Sequence, residues 1–254
     1  MRDVDVFSHT TAALLWGVPL PVALEQAGLI HVAAHTRPGR VIPQTRPRVR
    51  GVVGHELSDR RIRRCIRHGL PVTDAATTWL QLAPLVSLHD LVAAGDHLVL
   101  TPRHENSELD RPFTTVADLA ARVVGFRGRG RRTADAALGL IRDGAESRRE
   151  THLRLALVEA GLPEPELQHP IAHADGRFIA YGDMAYPRYG VLVEYDGQQH
   201  REDSRQYHRD VERHDEIIAE GWLHIRVDKH APRSGPGSAA ARTRSALTAR
   251  GWRS

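Results

Sequence analysis

The strongest constraint on the fold is a pair of strand-like segments on either side of the turn sequence YPRYG. GRFIAYGDMA precedes this turn and GVLVEYD follows it, so the sequence predicts an antiparallel β-hairpin. Folding the hairpin about the turn places Asp183 opposite Val193 or Glu194, where paired Cβ atoms lie about 5 Å apart. Because side chains alternate along a strand, Glu194 and Asp196 project to the same side.

We therefore expect three carboxylates to cluster at one end of this hairpin. Carboxylates at such a distance repel each other, and a cation offsets the repulsion. Mg²⁺ prefers oxygen ligands from one or two carboxylates, together with waters and substrate phosphates. The sequence thus indicates a metal site, whereas a register shift of one residue would turn Asp183 to the other face and leave an ordinary charged surface.

The helix before the hairpin adds another acid, Glu150, which has two interpretations. Glu150 shares one helical stripe with Leu153 and Leu157, so it points toward the sheet and can reach a metal ion or its water. The segment SRRE is also a capping-box pattern, in which the glutamate only stabilises the start of the helix. After the hairpin, His200 can shuttle a proton or hold a phosphate, or be incidental in a chain with 16 histidines.

The order of the predicted elements indicates an α+β fold. A helix over about 148–160 is followed by three strands, a helix over about 204–220 and a last strand, WLHIRV. Upstream, short strands such as LIHVAAH and VRGVVGHE alternate with helices, one of which has Asp74 as its predicted N-cap. We expect four segments: a small mixed α/β domain at 1–103, a helical connector at 104–145, a mixed sheet flanked by helices at 146–230, and a flexible or helical tail at 231–254.

Almost all of the positive charge is arginine, since only Lys229 among the 35 basic residues is lysine. Arginine binds phosphate with two parallel hydrogen bonds. The loop GFRGRGRR interleaves glycines with arginines, so it can wrap a phosphate backbone or be a solvated linker. Together with SRRE, it supplies the candidate nucleic-acid contacts Arg127, Arg129, Arg131, Arg132, Arg148 and Arg149.

The remaining composition narrows the class of protein. The single cysteine, Cys65, excludes an internal disulfide and a cysteine-rich zinc site. The apolar runs are much shorter than a membrane span, and the first residues show no charged-then-apolar signal region. We expect a cytoplasmic protein without a membrane partner.

Three stretches carry a resemblance to a known family. ESRRETHLRLALVEAGLPEPELQ, GRFIAYGDMAYPRYGVLVEYDGQQH and RDVERHDEIIAEGWLHIRV resemble the Vsr-like (very-short-patch-repair) endonuclease-related domain of the PD-(D/E)xK nuclease superfamily. This resemblance covers about 146–227 and implies a restriction-endonuclease-like core. SHTTAALLWG and GLPVTDAATTWLQLA are similar to the region that precedes this nuclease in chains with an AbiEi-type antitoxin-like module, which implies a toxin–antitoxin context.

The resemblance also implies a metal site. Asp183 matches the metal-binding strand aspartate, and Glu194 matches the second acidic position. The backbone carbonyl of Tyr195 completes the ligands of Mg²⁺ or Mn²⁺, and Glu150 reaches the metal through water.

One position departs from the superfamily pattern. Asp196 stands where the superfamily has a lysine that positions the attacking hydroxide. His200 can take over that role, while Asp196 can bind a second ion or orient the water.

The expected function is therefore metal-dependent hydrolysis of DNA phosphodiester bonds, with RNA as another substrate of the same chemistry and a homodimer as an allowed assembly. Glu150, Asp183, Glu194, Asp196 and His200 are the candidate catalytic residues. The alternative is a catalytically inactive nuclease-fold module that acts as a DNA-binding or antitoxin-type regulator, because a fold does not determine an activity.

Overall fold

The chain divides into two compact units, Met1–Arg148 and Arg149–Ser254. The computed structural model describes residues 5–35, 49–57, 61–103, 110–197, 204–232 and 234–253. Both units combine helices with a β-sheet, which confirms the predicted α+β class. Within the described residues, no helix has both the length and the apolarity needed to cross a membrane.

The first unit contains a five-stranded sheet in its described part, with the order β3-β2-β1-β5-β4. The strands are β1 (Asp5–Phe7), β2 (Ile30–His35), β3 (Val52–Leu57), β4 (Arg64–Arg67) and β5 (Leu70–Thr73). β2 is antiparallel to β1 and parallel to β3, while β5 is parallel to β1 and antiparallel to β4. The predicted strands LIHVAAH and VRGVVGHE correspond to β2 and β3.

Three of the helices described in the first unit begin at a residue whose side chain accepts a capping hydrogen bond. The described helices of this unit are α1 (His9–Leu15), α2 (Val22–Glu25), α3 (Ala75–Leu82), α4 (Leu88–Val99), α5 (Val116–Val123) and α6 (Arg131–Leu138). The predicted N-cap of α3, Asp74, accepts a hydrogen bond from the backbone N–H of Thr77 at 2.9 Å. Thr115 and Asp118 form a reciprocal capping box at the start of α5.

The predicted connector, 104–145, does not stand apart in its described portion. α5 packs against α3 and α6 packs against α4, within the first unit. The reason is that each helix has an apolar side that needs cover, represented by the fully buried Leu119 on α5 and Ala137 on α6. The second unit therefore begins at Arg149, three residues later than predicted.

The second unit has the predicted order of helix, three strands, helix and strand. The elements are α7 (Arg148–Glu159), β6 (Glu166–Ala172), β7 (Phe178–Tyr186), β8 (Val191–Tyr195), α8 (Ser204–Ala219), β9 (Leu223–Val227) and α9 (Ala239–Ala249). Its mixed sheet has the order β6-β7-β8-β9, in which only β8 and β9 are parallel among the described strands. The β7–β8 turn is a short 3₁₀ helix, Pro187–Tyr189, followed by Gly190 in the left-handed region at φ +59°.

The core of the second unit lies between the sheet and its helices. Buried residues from α7, β7, β8, β9 and α9 form one cluster that includes Leu157, Met184, Val193, Ile225 and Leu247. Leu247 is fully buried on α9, so the predicted tail, 231–254, contains a packed helix.

Gly182→Val is expected to destabilise the second unit by about 1–3 kcal/mol, as overpacked core substitutions do. A Cβ at Gly182 on β7 would overlap the Leu192 side chain and lie 3.3 Å from Ile171. The measurement is urea unfolding followed by circular dichroism. Gly197→Ala is the matched control, since its Cβ would meet no atom within 4 Å. Equal destabilisation by both substitutions would contradict the packing argument.

Candidate functional site

The β7–β8 hairpin brings Asp183 and Glu194 to the same level of the sheet. Met184 pairs with Val193, so the next residues along each strand are Asp183 and Glu194. The backbone N–H of Tyr195 donates a 3.0 Å hydrogen bond to Oδ2 of Asp183. The hairpin predicted from the turn is confirmed, and its register is the one that places the two acids side by side.

Glu194 is a buried carboxylate with only one of its oxygens hydrogen-bonded. It is 5% exposed, and its Oε2 accepts hydrogen bonds from Arg213 Nη2 at 3.0 Å and His224 Nε2 at 2.8 Å. Its Oε1 is buried and has no hydrogen-bond partner among the described residues. Burial would raise the pKa of Glu194, but the His224 hydrogen bond and the Arg213 charge together hold that pKa below its ordinary value.

The pKa of Asp183 is shifted upward, in the direction opposite to that of Glu194. Its burial, followed by the charges of Glu150 and Glu194, raises the pKa of Asp183 from 3.8 to about 7, against the Tyr195 hydrogen bond and the Arg213 charge. The influence of both other acids shows that Glu150, Asp183 and Glu194 share one neighbourhood. A perturbed carboxyl group beside a buried carboxylate is typical of a functional site.

Three carboxyl groups meet in this neighbourhood, and burial, followed by the repulsion among them, raises the pKa of Asp183. Arg213, His224 and Arg226 act on Glu194 from the positive side. A divalent cation would favour the ionised form of Asp183. The donor set fits Mg²⁺ or Mn²⁺, since it consists of carboxylate oxygens, one of them buried and without a partner among the described residues.

The three acids do not all lie at direct-ligand distance from one point. Ligands of one Mg²⁺ ion lie at most about 4.2 Å apart. Within the described residues, the one group of three or more His, Cys, Asp and Glu ligand atoms that lie within 4.8 Å of one another belongs to the first unit. At most two of the acids can therefore bind one ion directly as they stand. The water-mediated role of Glu150 that the resemblance implies stays a prediction.

Asp196 is engaged by an arginine of the neighbouring strand. Its Oδ2 accepts a 3.0 Å hydrogen bond from Arg226 Nη2, and its backbone N–H donates to the carbonyl of Val227. A guanidinium group thus lies beside Asp196. Binding of a second ion or orientation of a water by Asp196 stays a prediction.

Two predicted groups remain, the backbone carbonyl of Tyr195 and the side chain of His200. The carbonyl of Tyr195 accepts a 3.1 Å hydrogen bond from the N–H of Gly197, and its second lone pair can still bind a metal ion. His200 lies outside the described residues. Its proton-transfer role stays a prediction.

Sequence reasoning missed the groups that position Glu194. Arg213 lies one helical turn before Ile217, which is fully buried, and this spacing could have placed Arg213 on the sheet-facing side of α8. His224 is also bonded to His214, with 2.8 Å between the two Nδ1 atoms. No local pattern indicates that this imidazole would meet Glu194.

The predicted nucleic-acid arginines fall into two groups. Arg131 is bound to Asp135 at 2.6 Å, and Arg148 is bound to Asp90 at 2.7 Å, so intramolecular carboxylates already offset their charges. The side chains that stay exposed are those of Arg127, Arg129, Arg132 and Arg149.

The chain is similar to two mycobacterial proteins that are named as uncharacterized. The chain is 36% identical over 117 residues to uncharacterized protein MT2308 of Mycobacterium tuberculosis (strain CDC 1551 / Oshkosh) and to uncharacterized protein Rv2248 of strain ATCC 25618 / H37Rv. The match covers 45% of this chain and 43% of each relative, so the chain spans less than half the length of these relatives. No family model and no solved structure matches the chain.

Proposed function

We propose that the second unit is a metal-dependent endonuclease that hydrolyses DNA phosphodiester bonds. The observation that carries the proposal is the buried Oε1 of Glu194, which has no hydrogen-bond partner among the described residues and belongs to a carboxylate beside Asp183. The order of helix, three strands, helix and strand around a mixed sheet is the one expected for the nuclease core. The proposed setting is the cytoplasm, where a chain with one cysteine needs no disulfide.

In this proposal, Asp183, Glu194 and the Tyr195 carbonyl hold Mg²⁺ or Mn²⁺. The bound ion supplies a polarised phosphate and a water of lowered pKa. Arg213 and His224 hold the Glu194 carboxylate in place through Oε2 and so leave Oε1 for the ion. Glu150 orients the attacking water and His200 transfers a proton, while exposed arginines contact flanking phosphates.

The alternative proposal is a nuclease-fold module without catalysis, which binds DNA or acts as an antitoxin-type regulator. The ion pair between Glu194 and Arg213 favours it, since this pair offsets one carboxylate without a metal. Asp196, at the position that the resemblance matches to the superfamily lysine, is ion-paired with Arg226. This pairing also favours a module without catalysis.

Nicking of supercoiled plasmid DNA separates the two functions. The endonuclease is expected to convert supercoiled plasmid to the open-circular form with Mg²⁺ or Mn²⁺, and not with EDTA. An RNA substrate, tested in parallel, identifies the preferred nucleic acid. DNA binding without nicking under any divalent ion would favour the regulator, and calorimetric titration with Mg²⁺ would then show no saturable site.

Glu150→Gln distinguishes the two interpretations of this helix acid. Glutamine at the same position can still complete a capping box, but it cannot act on the metal as a charged group. If Glu150 serves the metal through water, nicking is expected to fall about 10- to 100-fold, as for other partners of metal ligands. The matched control is Glu159→Gln on the same helix, at an exposed position, which should leave nicking unchanged. Unchanged nicking with Glu150→Gln would show that Glu150 only caps α7.

A further inference from the structure

We propose that the first unit carries a transition-metal site formed by His9, His31 and His55, which binds Zn²⁺ or a similar divalent ion and, through it, a phosphate group. This site belongs to a different unit from the acids of the proposed nuclease centre. The inference therefore does not depend on the nuclease function.

The sheet places two of the imidazoles on one face. His31 on β2 pairs with Val53 on the parallel strand β3, and His55 follows Val53 by two residues. Residues two apart on a strand project to the same face, so His31 and His55 are diagonal neighbours.

The third imidazole is held over this strand pair by an unusual backbone conformation. His9 begins α1 with φ +51°, in the left-handed region that few residues other than glycine adopt. Its backbone N–H donates a 2.9 Å hydrogen bond to Oε1 of Gln81 on α3. Such strained residues cluster at functional sites, where the surrounding structure maintains them.

The ring nitrogens are close enough to share one ion. One nitrogen from each of the three imidazoles lies within 4.8 Å of the other two. His31 Nδ1 and His55 Nε2 are 2.9 Å apart, and the ring centroids of His9 and His55 are 3.7 Å apart. Tetrahedral zinc, with Zn–N bonds near 2.05 Å, separates its nitrogen ligands by about 3.4 Å. For a shared ion, the His31–His55 pair must open by about half an ångström, and the three rings, which now stack at interplanar angles of 12–28°, must rotate so that their in-plane lone pairs converge.

A hydrogen bond of His9 indicates which of its ring nitrogens would face the ion. Nδ1 of His9 lies 3.0 Å from Oγ of the buried Ser8, and this contact assigns the opposite nitrogen, Nε2, to the ion.

The ligand set selects the class of ion. Imidazole nitrogen suits Zn²⁺, Cu²⁺, Ni²⁺ and iron, whereas Mg²⁺ prefers carboxylate and water oxygens. Three histidines with a fourth position open are the arrangement of several catalytic zinc sites.

The fourth position opens into a cleft that suits an anion. The cleft has a volume of about 1120 Å³ and is lined by the three histidines together with the charged side chains Arg61, Arg122, Arg127, Arg129 and Glu56. Arg122 is paired with Asp74 at 3.2 Å, so Arg61, Arg127 and Arg129 against Glu56 leave 3 − 1 = 2 positive charges before any ion binds. Arg127 and Arg129 are exposed there on the glycine-rich loop. Arginine binds phosphate oxygens in pairs, so a phosphate group matches both the metal and the cleft.

Calorimetric titration of the EDTA-treated full chain with Zn²⁺ tests the site. One saturable Zn²⁺ site of micromolar or tighter affinity is expected, and His31→Gln and His55→Gln should each weaken it about 100-fold or more. The matched control is His68→Asn, since His68 is an exposed histidine of the same unit that also has a left-handed backbone, at φ +49°. Absence of a saturable site, or full affinity in both histidine variants, would overturn the inference.

A spectroscopic measurement tests the site without relying on variants. Co²⁺ added to the wild-type chain is expected to give the intense visible absorption of a four-coordinate ion, and inorganic phosphate should shift it. A short DNA duplex, added separately, shows whether backbone phosphate is also accepted. A weak six-coordinate spectrum would overturn the histidine site. A Co²⁺ spectrum that changes with neither phosphate nor duplex would overturn the inference that the bound ion takes a phosphate group.

Discussion

Asp183→Asn is expected to abolish Mg²⁺-dependent nicking while it stabilises the metal-free protein near neutral pH. Asparagine keeps the shape of the side chain and can still accept the hydrogen bond from the Tyr195 N–H. It removes one of the carboxylates that repel each other around Glu194. Loss of a direct metal ligand should reduce nicking at least about 100-fold, the upper range for substitution of a ligand's supporting partner. A gain in stability with a loss of activity is typical of residues kept for function.

The pH dependence of stability follows from the same residue. The pKa of Asp183 is about 7 in the folded protein and near its ordinary 3.8 in the unfolded chain. Between these values the folded state holds a proton that the unfolded state has lost, so the free energy of unfolding decreases as the pH rises. This contribution is complete below about pH 4 and is lost as the pH rises through about 7. Mg²⁺ should restore stability at pH 8, because it binds the ionised form.

Urea unfolding at pH 5 and pH 8, with and without Mg²⁺, measures this effect. The wild type should lose stability between the two pH values in the absence of metal, and Asp183→Asn should lose less and gain nothing from Mg²⁺. Asp175→Asn is the matched control, since Asp175 is an exposed acid in the β6–β7 turn. This control should behave like the wild type in both unfolding and nicking. If Mg²⁺ raises the free energy of unfolding of the wild type and of Asp183→Asn by the same amount, the proposed metal site is refuted.

Glu164→Ala is expected to lower the stability of the second unit by about 1–3 kcal/mol, the range for a buried polar group that loses a hydrogen-bond partner, since Arg154 is buried while Glu164 is exposed. Its partner, Arg154, is fully buried on α7, and Arg154 Nη1 lies 2.7 Å from Glu164 Oε1. Removal of the carboxylate leaves a guanidinium group in the core without this counter-charge. Arg154 lies one turn after Glu150, so the substitution should also disturb the acid site.

Arg154→Met provides the diagnostic comparison for this pair. An apolar side chain of similar length removes the buried charge itself, so it should cost less than Glu164→Ala. Glu166→Ala is the control, because its contact with His169 is exposed and such pairs contribute about 0–1 kcal/mol. Urea unfolding of the three variants gives the order. A larger cost for Arg154→Met than for Glu164→Ala would contradict the importance of the Glu164 counter-charge for buried Arg154.

Much of the second unit could be predicted from local sequence. The bounds of α7, β8 and α8 lie within one or two residues of the prediction, because apolar spacing and turn residues act over one element. The β7–β8 register was predictable to within one residue, since both strands adjoin the same turn. The described part of the predicted connector packs within the first unit, since helical periodicity shows an apolar face without showing which unit covers it.

The chemistry of the site depends on contacts that periodicity does not encode. Arg213 and His224 reach Glu194 across 19 and 30 residues of sequence, and each comes from a different element. The pairing of Asp196 with Arg226 follows from the parallel alignment of β8 and β9, in which Glu194 pairs with Arg226. These contacts decide which carboxylate is ionised and which oxygen is left for a cation.

The sequence by itself determined the element order, the hairpin and the presence of several acids near its end, because hydrogen-bonded turns and alternating side chains act over a few residues. Only the tertiary structure decided that Glu194 is buried with one oxygen hydrogen-bonded and the other without a partner among the described residues. It also decided that His9, His31 and His55 come together, from a helix start and two strands. Burial and proximity arise when elements distant in sequence pack, and packing depends on the shapes of all of them at once.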